Sequence, residues 1–143
     1  MKKLINYIFL FCIFVNFEVS AIENFFEEAK KKYNQKKIED SKFLFQRNIV
    51  FNPKHANSYL YLAKIYNFEK NEIEEIKNLK TTLLLDPGNE EAMYMLIQVK
   101  LEKSNFSEVK KLKEQFKIIC LKLCSKTKDI NKKLKDIEAK NES

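Results

Sequence analysis

The chain has 143 residues with one Gly, two Pro and one His, and 45% of it is hydrophobic. That is enough apolar content for one small packed domain, with too few turn residues for a β-sandwich or barrel. A single Gly excludes Gly-rich phosphate loops and dinucleotide fingerprints, and a single His leaves a Ser-His or Cys-His nucleophile without its base. The net charge of +7 is uneven: residues 22–99 carry 12 basic and 12 acidic side chains, whereas 100–143 carry 13 Lys against 7 acids.

Residues 1–21 have the three parts of a secretory signal. Lys2 and Lys3 give a positive start, Leu4 to Phe17 is apolar apart from Asn6 and Asn16, and Val19-Ser20-Ala21 places slim residues where signal peptidase reads. The run is short for a bilayer span. Cleavage before Ile22 would export the chain to the periplasm or cell envelope; retention would leave it anchored by an uncleaved N-terminal segment. Cys12 follows the bulky Phe11, where a lipidation site needs a small residue.

Beyond Ile22, Pro53 and Pro87 stand 34 residues apart, each closing an apolar segment after Asn or Asp. Counting 34 from each marks units at about 22–55, 56–89 and 90–123, each reading as two apolar-striped helices around a polar break. Helices are expected at about 22–35, 38–51, 55–68, 71–85, 90–103, 106–123 and 128–140. Asn71 with Glu74, and Asn105 with Glu108, have capping-box spacing: Asn accepts from the helix start while Glu reaches back. The residue before Pro avoids the helical region, so Asn52-Pro53 and Asp86-Pro87 end helices.

Residues 56–87 resemble a tetratricopeptide repeat. Tyr59 stands at the family's first large aromatic, Leu62 and Ala63 at its large-then-small pair, Tyr66 at the aromatic one turn later, and Pro87 at the closing proline. The first unit keeps Phe25, Ala29, Ser41, Phe45 and Pro53; the third keeps Met93, Leu96, Phe106, Val109 and Phe116 without a closing proline. The second helix departs from the pattern, with Glu75 where a small residue belongs. A slip of one residue, burying Ile73, Ile76, Leu79 and Leu83, restores an apolar stripe there. The resemblance implies an all-α solenoid of about three repeats over 22–123, and the leader makes it similar to small exported bacterial members of the family. Residues 124–143 add a basic C-terminal helix and tail, with Ile130, Leu134 and Ile137 at helical spacing. It reads either as a cap over the open end of the third repeat or as a basic docking surface.

In this family the first helices line a groove that binds extended or helical peptides. Carried onto this chain, the groove positions are Phe26, Lys30 and Tyr33, then Asn57, Leu60 and Lys64, then Tyr94 and Gln98. Phe26 and Leu60 stand where a carboxylate clamp needs polar groups, so the expected partner is a protein or peptide segment with apolar anchors and some acidic character.

Cys120 and Cys124 lie four residues apart, within reach of a disulfide if the helix end unwinds slightly. Three states fit the spacing: an internal bridge in an oxidising compartment, two free thiols, or pairing between molecules. No cofactor or metal site is expected, because His55 has no companion ligands and reads as a helix-start residue. The function that follows is a non-enzymatic interaction scaffold. The alternative is a peripheral binder of an anionic membrane or envelope surface through the Lys-rich C-terminal region. One Arg and an export signal argue against nucleic acid. A homodimer through the open repeat end completes the expected partners.

Overall fold

The computed structural model describes residues 25–141, with side chains as far as Ile137. The leader at 1–21, the start of the first unit at Ile22 and the tail residues Glu142 and Ser143 lie outside the described residues. Within them the structure is all-α: α1 (25–34), α2 (Ile38–Phe51), α3 (Ala56–Phe68), α4 (Glu72–Leu85), α5 (Glu90–Glu102), α6 (Phe106–Ile119) and α7 (Lys126–Asn141). The chain forms two compact units, one up to Ser58 and one from Tyr59.

The hairpin turns carry the repeat most plainly. Lys36, Lys70 and Ser104, each 34 residues from the next, are the non-Gly residues with positive φ among those described, at 63°, 60° and 54°. Each ends a first helix in the same way. The N–H of Lys36 donates to Tyr33 O and that of Lys37 to Lys32 O; Lys70 and Asn71 repeat this to Asn67 O and Tyr66 O, and Ser104 and Asn105 to Leu101 O and Lys100 O, all at 2.9–3.1 Å. These paired bonds form a Schellman closure, in which a left-handed residue satisfies the last free carbonyls of a helix.

The residue after each left-handed position begins the next helix. Asn71 Oδ1 accepts from Glu74 N at 3.3 Å and Asn105 Oδ1 from Glu108 N at 3.2 Å. The second half of the expected capping box does not form. The cap's own N–H is already committed to the preceding helix, so Glu74 turns to Lys77 and Glu108 accepts from the Asn105 side chain at 2.9 Å. Lys37 holds the same place before α2 and makes no side-chain cap bond.

In the first unit Ala29 and Phe45 are fully buried. Polar groups cross between its helices: Ser41 Oγ donates to Ala29 O at 2.9 Å. Asn48 Nδ2 donates to Ser58 Oγ at 2.8 Å, and that hydroxyl stands 2.9 Å from His55 Nδ1. Burial pushes the His55 pKa down, which keeps the ring neutral and able to accept. His55 therefore ties the start of α3 to α2.

The second unit holds two apolar clusters. Leu60, Ala63, Leu79, Ala92, Leu96 and Val99 join α3, α4 and α5. Met93, Ile97, Leu101, Val109 and Phe116 join α5 to α6, and α7 closes that cluster with Ile130 and Leu134. α5 packs against α4, α6 and α7. Salt bridges fasten its C-terminal half, from Lys100 to Glu108 and from Lys103 to Glu72, both at 2.8 Å.

Two expectations about α4 and α6 are corrected. The one-residue slip holds only in part: Leu79 is fully buried and Ile76 and Leu83 pack against the core, but Ile73 is 80% exposed, whereas Glu75 is 4% and Thr82 0% exposed. The register set by the hairpin turn outranks side-chain polarity, and the polar groups are satisfied in place. Asn67 Nδ2 donates to Glu75 Oε1 at 3.0 Å, Asn78 to Glu74 O at 2.8 Å and Thr82 to Asn78 O at 2.9 Å. Burial pushes the Glu75 pKa up, an effect partly offset by the Asn67 bond. Secondly, α6 ends at Ile119 instead of 123. The N–H groups of Lys122 (2.9 Å) and Leu123 (2.7 Å) leave the helical path to bind the Glu90 carboxylate at the start of α5.

A left-handed Lys or Ser costs backbone energy that Gly does not, against the greater freedom Gly has when unfolded. Lys70→Gly and Ser104→Gly are each expected to stabilise the fold by about 0.5–1 kcal/mol, raising Tm by roughly 2–4 °C. Thermal unfolding followed by circular dichroism checks this; a lower Tm in both variants would show that these turns do not hold the left-handed conformation.

Candidate functional site

The eight groove positions fall into two sets. In the first unit, α1 places Phe26, Lys30 and Tyr33 one turn apart. Phe26 is half-buried: its ring centroid lies 5.7 Å from that of Phe45 and 4.4 Å, edge-on, from His55. Lys30 Nζ stands 5.8 Å from the Phe26 centroid and 3.4 Å from Glu27. Tyr33 is half-buried beside them, and Asn57 is exposed at the start of α3. Phe26 thus supports the unit from within as much as it faces outward.

In the second unit Leu60 is corrected. It is 4% exposed and packs with Ala63, Leu79 and Leu96, so it offers no surface. Its turn of α3 points between α4 and α5, where an apolar side chain gains more than in water. The outward face of α3 is carried by the neighbouring residues instead. Lys64 Nζ lies 4.6 Å from the Tyr61 ring centroid and 2.9 Å from Glu91 Oε1 on α5. A cation over an aromatic face is held by the ring's negative centre while staying hydrated on its other side. Glu91 escaped the sequence reading because it is not in helical reach of Lys64, and only packing of α3 against α5 unites them; Tyr61, three residues before Lys64 on the same helix, was legible from the i,i+3 spacing.

Tyr94 and Gln98 continue this face along α5, and both meet α7. The Tyr94 ring lies 6.2 Å from that of Phe116, with Lys126 Nζ 5.6 Å from its centroid. Lys133 Nζ donates to Gln98 Oε1. The Gln98 Nε2 atom is buried and has no acceptor among the described residues. An unmatched buried donor of this kind costs about 1–3 kcal/mol. The part of α7 in this face had no signal in sequence beyond the Ile130 and Leu134 stripe that docks the helix.

The loop between α6 and α7 sets where α7 starts. Cys120 and Cys124 flank it, with Sγ atoms 2.13 Å and Cα atoms 5.2 Å apart. They lie in a non-helical stretch, tighter than the roughly 6 Å of a helical i,i+4 pair. The Glu90 carboxylate accepts the amides of the same loop, and these bonds, that from Leu123 foremost, hold its pKa below the usual carboxylate range. Among the described residues no group of three metal-ligating side chains stands together.

With this geometry the chain matches solved helical-repeat structures, while no protein-family model and no curated protein matches it. The chaperone SycD of Yersinia enterocolitica type III secretion, solved with a peptide of the translocator YopD, superposes with a TM-score of 0.73 at 15% identity, over 85% of this chain and 95% of that one. The Sgt2 tetratricopeptide domain of Aspergillus fumigatus gives 0.70 at 12% identity, over 86% and 83%. The first tetratricopeptide domain of Spaghetti (RPAP3), bound to the HSP90 peptide SRMEEVD, gives 0.71 at 14% identity, over 82% and 93%. The fold is therefore the α-solenoid of tetratricopeptide-repeat proteins, as the resemblance implied.

Because the Glu90 pKa is lowered in the fold, its contribution is present above the unfolded value and is lost as pH falls through the folded one. The Lys122 and Leu123 amides are expected to exchange slowly at neutral pH. Glu90→Gln should accelerate them at pH 7 and remove their acid sensitivity, read by hydrogen exchange; unchanged protection would sink the anchoring role.

Proposed function

We propose that this chain is a non-enzymatic interaction scaffold that binds a protein or peptide segment on the faces of its first helices. The observation that carries this reading is the connected face of α3 and α5. Tyr61, Lys64, Glu91, Tyr94 and Gln98 form a polar and aromatic surface along α3 and α5, joined by the Lys64 contacts to Tyr61 and Glu91. SycD and the RPAP3 domain were each solved with a peptide bound, which supports the same use of the fold here. The partner expected has an apolar anchor beside Tyr94 and an acidic group within reach of Lys64.

The setting we propose is the periplasm or cell envelope, reached through the 1–21 leader. The Cys120 and Cys124 pair supports this, because a bridge persists in an oxidising compartment. Binding to an anionic surface through the last helix gains less support. The apolar stripe of α7 is spent internally on Ile130 and Leu134, which are 0% and 4% exposed. That leaves lysines alone to hold a membrane. The same two residues cover the end of the third helix pair, which weakens the case for a homodimer there.

Tyr94→Ala and Lys64→Glu are each expected to weaken partner binding by about tenfold or more, with Tm within a few degrees of the parent. Photo-cross-linking from position 94 in the native envelope identifies the partner. Survival of binding in both variants, with loss on Lys132→Glu and Lys135→Glu, would transfer the function to the basic helix. The exported chain is expected to begin at Ile22 and to carry no alkylatable thiol. Mass spectrometry under non-reducing conditions reads both; two alkylated cysteines would remove the bridge.

A further inference from the structure

The second unit has an apolar trough on the side of its second helices, distinct from the first-helix face. α4 and α6 both pack on α5 and leave a cavity of 410 Å³ between them, lined by Leu83, Pro87, Met93, Leu112, Gln115, Ile118 and Ile119. The size lies within the range of about 300–1,000 Å³ typical of ligand pockets. Gln115 is its one polar side chain. The trough arises because α6 is apolar over a wider arc than its core needs. Val109 and Phe116 point inward and are fully buried, while Leu112, Ile118 and Ile119 form a second stripe beside them.

Of its lining residues Ile118 is largely in water, and further exposed apolar side chains adjoin the lining in sequence. Leu84 is 81%, Ile118 83% and Leu121 86% exposed. One exposed Leu needs no explanation. Leu84 and Ile118, however, are 34 residues apart and hold the same register position in successive second helices, and Val50, 77% exposed, holds that position on α2. Each second helix therefore carries an apolar side chain in water at the same place.

The charges beside the trough that lack an ion pair among the described residues are of one sign, because the nearby acids are engaged: Asp86 by Asn89 Nδ2 at 2.9 Å, Glu90 by the Leu123 amide at 2.7 Å and Glu108 by Lys100 at 2.8 Å. Lys80 precedes Leu83 by one turn of α4, and Lys111 precedes Gln115 by one turn of α6; neither has an ion pair among the described residues. Lys122 follows Leu121. The acid on this part of α6, Glu114, is held by Lys117 at 2.9 Å and Lys113 at 3.6 Å. A second copy docking by two-fold symmetry would set these lysines against themselves, and a flat bilayer surface would leave the trough empty. We infer that the α4–α6 trough is a second docking site, which takes an amphipathic helix of a protein partner with an apolar stripe in the trough and acidic residues against Lys80 and Lys111. The chain would then hold two segments at once, one on each side of the second unit.

The probes are two synthetic helices of about 20 residues, with the same Leu stripe and either Glu or Lys flanks, titrated into the full chain by fluorescence anisotropy. The Glu-flanked peptide is expected to bind at least about tenfold more tightly than the Lys-flanked one. Ile118→Asp should abolish that binding, and the site is 83% exposed, enough to leave folding intact. Lys80→Glu combined with Lys111→Glu should reverse the preference to the Lys-flanked peptide, and Lys135→Glu on α7 should change nothing. Equal binding of the two peptides, or Glu-peptide binding that survives Ile118→Asp, overturns the proposal. So does an Ile118-dependent self-association seen by light scattering, or Ile118-dependent sedimentation with phosphatidylserine vesicles, when the peptides do not bind.

Discussion

Every helix pair in this chain depends on one backbone event, the passage through a left-handed residue at Lys36, Lys70 or Ser104. Two amide bonds close the first helix there, and the next residue is already the cap of the second. No slack remains between the helices. The rotation of each second helix about its axis is therefore set before its side chains are consulted. Glu75 is buried for this reason: α4 cannot turn by one residue to bury Ile73 without breaking the closure at Lys70 and Asn71. The fold accommodates a carboxyl with a raised pKa and an Asn67 bond, because the alternative loses backbone hydrogen bonds that have no substitute inside the protein.

The same rigidity sorts the surfaces. α5 is packed by α3, α4, α6 and α7, and the arc of Glu91, Tyr94 and Gln98 runs along its partly exposed side. α3 contributes Tyr61 and Lys64 beside it, with Leu60 turned into the core. On the other side, α4 and α6 meet α5 without filling the space between themselves, and the trough results. One unit thus presents two chemically different faces: a polar and aromatic one crossed by ion pairs, and an apolar one bordered by lysines. The loop at 120–125 completes the arrangement. Its amides bind Glu90, its cysteines adjoin, and α7 is delivered onto Tyr94 and Gln98. A partner on the first-helix face would have to share it with Lys126 and Lys133.

Much of this could be read along the chain. A 34-residue spacing of prolines matched the period at which the left-handed turns recur, apolar periodicity located seven helices to within a few residues among those described, and Asn71 and Asn105 marked helix starts, since all of these express local chemistry. The left-handed turns escaped notice because Lys and Ser carry no mark of positive φ, which Gly would have signalled. The end of α6 at Ile119 escaped for another reason: its cause, the Glu90 carboxylate, lies more than 30 residues away.

The candidate site shows the same division. The repeat register was enough to place Lys64, Tyr94 and Gln98 on first helices, because i,i+3 and i,i+4 steps define a helix face without reference to neighbours. It could not place Leu60, since whether a side chain at the edge of a face is wet or dry depends on how closely the next helix approaches. Nor could it reveal Glu91 beside Lys64, Lys133 on Gln98 or the trough behind α5. Those are distances between segments far apart in sequence, and they exist only once α3, α4, α6 and α7 have packed around α5.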